Sequence, residues 1–143
     1  MAVGLLAEVK YHPIAGFQLG TTDAGIKTPG RRDLVVMQAQ AGSSMAGVFT
    51  TNAFCAAPVQ LCRRHLQDDS PLALVINTGN ANAGTGAAGD ADALSACNEV
   101  ARALNLNVSQ VLPFSTGVIG EKLPIEKILI SLPKAINQMD ING

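Results

Sequence analysis

Short apolar runs separated by glycine and asparagine dominate the hydropathy pattern of this chain. The runs at residues 34–39 and 72–77 predict buried strands, because a strand covered on both faces loses the usual polar alternation. Shorter runs at 45–51 and 59–62 predict two more strands. A last run at 111–114 predicts an edge strand, since Pro113 cannot donate a ladder hydrogen bond.

Two longer segments have helical spacing. Asp90 is a candidate N-cap for a helix ending near Leu104, with an apolar face of Leu94, Cys97, Ala101 and Leu104. Pro124 suits the first turn of a second helix, which Pro133 ends or kinks, with an apolar face of Ile125, Ile128, Leu129 and Leu132. Turn residues or polar residues predict loops at 10–33, 63–71, 78–89 and 115–117.

Mixed strands and helices without an internal repeat or a linker predict an α/β fold, with residues 1–143 as a single domain. Hydrophobic residues make up 48% of the chain and charged residues 15%, which excludes a disordered tail. A net charge of −1 and an aromatic content of 3% argue against nucleic acid and anionic membranes as partners.

Three cysteines without a C-x-x-C motif argue against a disulfide framework or a zinc site. The apolar stretch at 3–7 is too short for a signal peptide or a membrane span. We therefore expect a cytoplasmic protein that holds no metal.

The loop at 84–89 reads Gly-Thr-Gly-Ala-Ala-Gly, the spacing of a dinucleotide-binding turn. In that motif the strand turns directly into the first glycine, and the next strand ends in an acid that holds the ribose. Here six residues separate Asn77 from Gly84, and the next strand ends at Phe114-Ser115. A tight glycine-rich connection is the favoured interpretation, with nucleotide binding as the alternative.

Three asparagines stand at 77–83, where the clearest strand ends. Asparagine side chains can hold turns or contact a substrate, and scaffolding is the favoured role. Ser115, Thr116 and Gly117 follow the next strand. A hydroxyl and a backbone N–H on adjacent residues can converge on one anionic oxygen, as an oxyanion hole requires. An ordinary turn is the alternative.

Other reactive side chains favour simpler interpretations. Cys62 and His65 would share a face only on a helix, which no pattern here supports, so we expect a solvated histidine. The charged stretch at 31–33 (Arg-Arg-Asp) is typical of a surface or turn salt bridge, although an arginine there could bind a carboxylate substrate.

Four ordered segments resemble the ornithine acetyltransferase family, the glutamate N-acetyltransferases. They are GIKTPGRRDL at 25–34, AGVFTTN at 46–52 with AAPV at 56–59, VINTGNANA at 75–83 with Thr85-Gly86, and STGVIG at 115–120. The resemblance covers roughly residues 16–132. One departure is Gly84, where the family often has a cysteine that is not the nucleophile.

The resemblance implies layered sheets sandwiched by helices. It also implies an enzyme of arginine biosynthesis that moves acetyl from N2-acetylornithine to L-glutamate. Members cut themselves into α and β subunits, and the new N-terminal threonine of β carries the acetyl group. No cofactor is implied, although some members use acetyl-CoA as co-substrate. The expected assembly has two α and two β subunits.

By matching positions, the family's oxyanion hole falls on Thr116 and Gly117. No segment here matches the self-cleavage site, so we expect the chain to be part of the α subunit, ending before that site. The nucleophile and most substrate contacts would then lie outside it, and alone it would be inactive. Alternatives from other classes are a nucleotide-binding module, a non-catalytic interaction module and a self-processing amide hydrolase.

Overall fold

The two clearest apolar runs form the central strands of one four-stranded sheet in the computed structural model, which describes residues 12–141. The strands lie in the spatial order β1 (Phe17–Thr22), β2 (Leu34–Ala39), β3 (Ala73–Asn80) and β4 (Val111–Val118). β2 pairs antiparallel with β1 and with β3, whereas β3 and β4 are parallel. A parallel pair needs a crossover, which a helix between β3 and β4 supplies.

Three helices and one short 3-10 turn complete the described part of the chain. They are α1 (Ala57–Asp68), α2 (Gly86–Leu104), the 3-10 turn at Val108–Gln110 and α3 (Ile125–Asn137). α2 is the crossover helix and packs against β3, β4, α1 and α3. α3 covers β1 and β2, and α1 lies along β4 at the edge of the sheet.

The core lies between the sheet and α2 and α3. Alternate strand residues point into it, because side chains alternate between the two faces of a strand. The fully buried large side chains of this layer are Leu34, Val36, Val100, Val111, Ile128 and Leu132. Burying each such side chain stabilises the fold by about 1.5–3 kcal/mol. The α/β class predicted from the sequence is confirmed.

Two of the predicted strands are wrong. Residues 45–50 have no regular secondary structure, and Val48 is fully exposed, because no neighbouring strand pairs with this segment. The stretch 59–62 lies inside α1, where Pro58 stands in the first turn and Leu61, Cys62 and His65 face inward. The predicted loop at 63–71 is therefore helical as far as Asp68.

One strand was missed, and one helix begins earlier than predicted. β1 lies in the stretch predicted as loop at 10–33, of which residues 10 and 11 fall outside the described residues. α2 begins at Gly86, four residues before Asp90, so Asp90 is not its cap. Leu94 is exposed, and the buried face of α2 is Gly89, Ala93, Ala96, Cys97, Val100 and Ala101.

Two further expectations at the C-terminal elements are corrected. Residues 115–117 are not a turn but continue β4 to Val118. Pro133 does not end α3, which runs on to Asn137. Leu132 and Ala135, both fully buried, anchor the helix on either side of the proline. Their packing outweighs the one backbone hydrogen bond that a proline removes.

Candidate active site

The predicted oxyanion-hole residues lie at the carboxyl end of the parallel pair β3 and β4. Thr116 pairs with Thr78 and Gly117 with Gly79, and the register then slips at Asn80, which faces both Thr116 and Val118. Bulges of this kind change the direction of a strand and are frequent next to active sites. The carboxyl ends of parallel strands are also where open α/β sheets bind ligands.

Gly117 occupies a position that a side chain could not share. Its φ is +134°, and a Cβ there would overlap the backbone of Gly79 and the nitrogen of Asn80. Both Thr116 and Gly117 are exposed, and the Thr116 hydroxyl forms no hydrogen bond within residues 12–141. The site therefore offers a free hydroxyl beside a backbone of fixed conformation.

Asn77 and Asn80 hold this strand end in place. Ser115 Oγ donates to Asn77 Oδ1 over 2.6 Å, and Asn77 Nδ2 donates to the Asn80 carbonyl over 2.9 Å. Asn80 Nδ2 donates in turn to the carbonyls of Glu121 and Lys122, each at 3.2 Å. Asn77 and Asn80 are only 5% and 4% exposed, so their side chains are committed to the scaffold.

Asn82 is fully buried and fixes the start of α2. Its backbone N–H donates to Asn80 Oδ1, its Nδ2 donates to the Gly89 carbonyl, and its Oδ1 accepts from Thr85 Oγ1, all over 2.8 Å. The predicted scaffolding role of the three asparagines is confirmed.

The side chains of Asn82 and Thr85 occupy the space beside the glycine loop at 84–89. A Cβ on Gly89 would overlap Thr85 Oγ1 and Asn82 Oδ1, so the last glycine of the motif makes room for Asn82. Gly84 and Gly86 have φ of +70° and +59°, a conformation that favours glycine. Packing and turn geometry explain these glycines. This agrees with the tight glycine-rich connection predicted from the sequence.

Cys62 and His65 do share a face of α1, and the expected solvated histidine is wrong. His65 is 5% exposed, with Nδ1 2.7 Å from the Val111 carbonyl oxygen. Cys62 Sγ donates to the Pro113 carbonyl over 3.1 Å, and burial raises the pKa of its thiol to about 12. Both side chains satisfy carbonyls on the free edge of β4, and Cys62 is not a nucleophile.

The charged stretch at 31–33 makes no salt bridge within the described part of the chain. Asp33 is 6% exposed and accepts the backbone N–H groups of Ala24 and Ile26, each over 2.7 Å. Aspartate oxygens that bind backbone N–H groups fix a loop. Sequence reasoning missed this role; the signal was an aspartate directly before a buried strand that follows a glycine-rich loop.

Two further features are absent from residues 12–141. No three or more histidine, cysteine or acidic side chains cluster as metal ligands. No helix there is long and apolar enough to cross a membrane.

Comparisons with known proteins identify the family of this arrangement. The sequence model of the ArgJ family matches residues 18–142. The arginine biosynthesis bifunctional protein ArgJ of Pseudomonas fluorescens (strain Pf0-1) is 52% identical over 143 residues. The protein of the same name from Pseudomonas syringae pv. tomato is 51% identical. All of this chain is matched in both cases, and it spans 35% of the length of each relative.

Two solved structures have the same fold. The ornithine acetyltransferase of Mycobacterium tuberculosis, crystallised with ornithine, matches with a TM-score of 0.85 and 36% identity, over 90% of this chain and 69% of that one. The arginine biosynthesis bifunctional protein ArgJ of Bacillus halodurans matches with a TM-score of 0.78 and 32% identity, over 82% and 62%.

Proposed function

Since the chain belongs to the ArgJ family, we propose that it is part of the α subunit of an enzyme that transfers acetyl from N2-acetylornithine to L-glutamate in arginine biosynthesis. The observation that carries this proposal is the pairing of Thr116 and Gly117 with Thr78 and Gly79 at the carboxyl end of the parallel strands. Residues 1–143 then form a single domain of that subunit.

In the proposed reaction Thr116 and Gly117 stabilise developing negative charge. A threonine hydroxyl attacks the acetyl carbonyl carbon, and the carbonyl oxygen becomes an oxyanion. The Thr116 hydroxyl and the Gly117 N–H donate hydrogen bonds to that oxygen. Fixed donors of this kind, aimed at the oxyanion, are a large source of rate enhancement in acyl transfer.

The attacking threonine belongs to the partner β subunit in this proposal. Self-cleavage of a precursor frees its amine, which takes the hydroxyl proton and then delivers it to the departing ornithine nitrogen. The acetyl group is left as an ester on that threonine. The α-amine of glutamate attacks the ester carbonyl, and the threonine amine takes its proton. That proton passes to the threonine oxygen as the ester C–O bond breaks, which restores the hydroxyl and releases N-acetylglutamate.

The proposal also covers the assembly, the location and the acetyl donors of the enzyme. The enzyme assembles as two α and two β subunits, works in the cytoplasm and needs no cofactor. The Pseudomonas relatives are named bifunctional proteins, and acetyl-CoA is the second acetyl donor in this proposal. Most contacts with the rest of the substrate lie outside this chain, which alone is inactive.

The test is acetyl transfer by the full-length protein that contains this chain. Intact mass should give two subunits, and incubation with N2-acetylornithine should add one acetyl group to the second. Glutamate should then remove that group as N-acetylglutamate. A full-length protein that remains one chain and transfers no acetyl would refute the proposal. Release of free acetate without a glutamate acceptor would favour a self-processing hydrolase instead.

A further inference from the structure

An apolar groove of about 410 Å³ runs along β4 and reaches Ser115, the residue before Thr116. Its walls are the irregular segment 46–50, one face of α1 and residues 112–115 of β4. None of the residues that line it carries a charged side chain. The reaction proposed above assigns this groove no role.

The β4 wall of the groove leads to the Thr116 hydroxyl. Side chains alternate between the two faces of a strand, so Leu112, Phe114 and Thr116 point to the same face of the sheet. Phe114 is 43% exposed, and its ring offers apolar surface to a ligand. Two residues of a parallel strand span about 6.6 Å. An acyl group whose carbonyl oxygen lies at Thr116 is therefore at the mouth of the groove.

α1 forms a second wall and runs antiparallel to β4. Cys62 donates to the Pro113 carbonyl, and the next turn of the helix bonds a carbonyl two residues earlier in β4. Helix residues therefore lie further from Thr116 as their numbers rise. Of the two side chains that α1 places in the groove on either side of Cys62, Val59 lies nearer to Thr116 and Leu66 lies further away.

The third wall, segment 46–50, is fixed on α1 although it has no regular secondary structure. Gly47 lies against the helix, because a Cβ on it would stand 2.9 Å from Leu66 Cδ1. Arg63 donates to the Thr50 carbonyl over 3.0 Å, and its guanidinium carbon lies 5.3 Å from the centre of the Phe49 ring. These contacts explain how an apolar segment without a partner strand keeps its place beside β4.

The lining of the groove matches only one part of the proposed substrates. Ornithine and glutamate carry carboxylate and ammonium groups, which are costly to bury in an apolar site without a partner. The acyl group is the uncharged end of an N2-acylornithine. The groove is also larger than acetyl needs, since a cavity of about 150 Å³ holds the six carbons of benzene. A hydrocarbon chain is therefore the ligand that this groove fits.

We propose that the groove binds the acyl chain of the donor, so that the enzyme also transfers acyl groups longer than acetyl from an N2-acylornithine to glutamate. The inference rests on the proposed function. The same bonds form and break as for acetyl: the acyl carbon passes to the threonine oxygen as ornithine leaves, and then to the glutamate nitrogen, with the same proton transfers. Each methylene that the groove buries should strengthen binding by about fourfold.

The experiment compares N2-acetylornithine with N2-hexanoylornithine as donors to glutamate, on the full-length, processed enzyme. Wild type should form N-hexanoylglutamate as well as N-acetylglutamate. Val59→Trp fills the groove near Thr116. It should lower the ratio of kcat/KM for the hexanoyl donor to kcat/KM for the acetyl donor by at least about tenfold, the effect of excluding two methylenes.

Two further variants separate recognition of the chain from folding. Val59→Phe fills less of the groove and should lower the same ratio by a smaller factor. Gln67→Trp is the matched control, because it adds the same bulky side chain at an exposed position of α1 that does not line the groove. It should leave the ratio unchanged.

A wild type that transfers acetyl but not hexanoyl would overturn the inference and leave the proposed function standing, since the rest of the protein would then fill the groove. An unchanged ratio in both Val59 variants would also overturn it. A wild type that transfers neither acyl group would refute the proposed function and this inference together.

Discussion

Gly117 lies directly against the backbone of Gly79, with no room between the two parallel strands for a Cβ on Gly117. The positive φ of Gly117 adds a second restriction, because side chains rarely adopt it. This close approach sets the direction of the Thr116–Gly117 peptide at the proposed oxyanion hole. Gly117 therefore has neither the space nor the backbone conformation for a side chain.

Replacing Gly117 should therefore lower catalytic activity more than replacing a glycine in an ordinary turn. We expect Gly117→Ala to lower acetyl-transfer turnover by at least about 100-fold, because the displaced N–H no longer meets the oxyanion. Gly120→Ala is the matched control, since Gly120 also has a positive φ of +81° but nothing within 4 Å of a Cβ. Initial rates of acetyl transfer should be measured for both variants. Equal losses of turnover would contradict the role of the Gly79 contact.

Asn82 should prove important for stability because its buried side chain bonds both Thr85 Oγ1 and the Gly89 carbonyl at the start of α2. We expect Asn82→Ala to lower the free energy of unfolding by about 1–3 kcal/mol, the range for leaving buried partners unsatisfied. Asn98→Ala, at an exposed position on α2, should change it by less than about 0.5 kcal/mol. Denaturant unfolding monitored by circular dichroism measures both; similar values for the two variants would be inconsistent with the network.

The three cysteines should differ in reactivity according to burial. Burial raises the pKa of the Cys62 thiol to about 12, and burial, then the neighbouring Cys62, raises that of Cys97. Cys55 is only partly buried. Pulsed alkylation at neutral pH followed by peptide mass spectrometry should label Cys55 first, and the other two only on unfolding. Early labelling of Cys62 would show that α1 does not cover the β4 edge.

Asp92 should weaken the fold at neutral pH. Burial raises the pKa of its carboxyl, with smaller effects from Lys122, which lowers it, and Glu126, which raises it. One carboxylate oxygen is buried without a hydrogen bond. Since the folded-state pKa lies above the unfolded value, the folded state binds more protons. The contribution of Asp92 is therefore most favourable below the unfolded pKa and is lost as pH rises through the folded one.

Asp92→Asn should accordingly raise the thermal unfolding midpoint at pH 7, and this gain should vanish as the pH falls below about 3.9. Glu121→Gln makes the same change of net charge at an exposed position and should leave the midpoint unchanged. A gain that persisted unchanged in acid would contradict the burial effect.

The buried elements could be predicted from the sequence because their signals are local. The apolar runs at β2 and β3 need no knowledge of their neighbours, and the helical spacing after Asp90 and Pro124 was sufficient for α2 and α3. α1 was missed because Arg63 and Arg64 interrupt its apolar run, although both are exposed on the outer face. The exposed segment near Val48 looked like a strand because apolar pattern alone does not say whether a partner strand exists.

The candidate site could likewise be predicted only in part from the sequence. Thr116 and Gly117 were identified through resemblance to a family, since Ser-Thr-Gly alone also describes an ordinary turn. The contact between Gly79 and Gly117 depends on strand register, and the bonds that Asp33 makes to Ala24 and Ile26 depend on the conformation of a loop. The local spacing of residues along the sequence determines neither strand register nor loop conformation. These features therefore required the structure.

The account depends most on the Thr116 hydroxyl as an oxyanion donor, and one comparison tests it directly. Acetyl transfer from N2-acetylornithine to glutamate should be measured for the full-length enzyme carrying Thr116→Ala or Thr116→Ser. Loss of the hydroxyl should lower kcat by about 100- to 1000-fold with little change in KM, because the donor acts on charge that develops only in the transition state. The serine variant keeps the hydroxyl and should stay within about tenfold of wild type. Equal activity of the alanine variant and wild type would contradict the oxyanion role of Thr116.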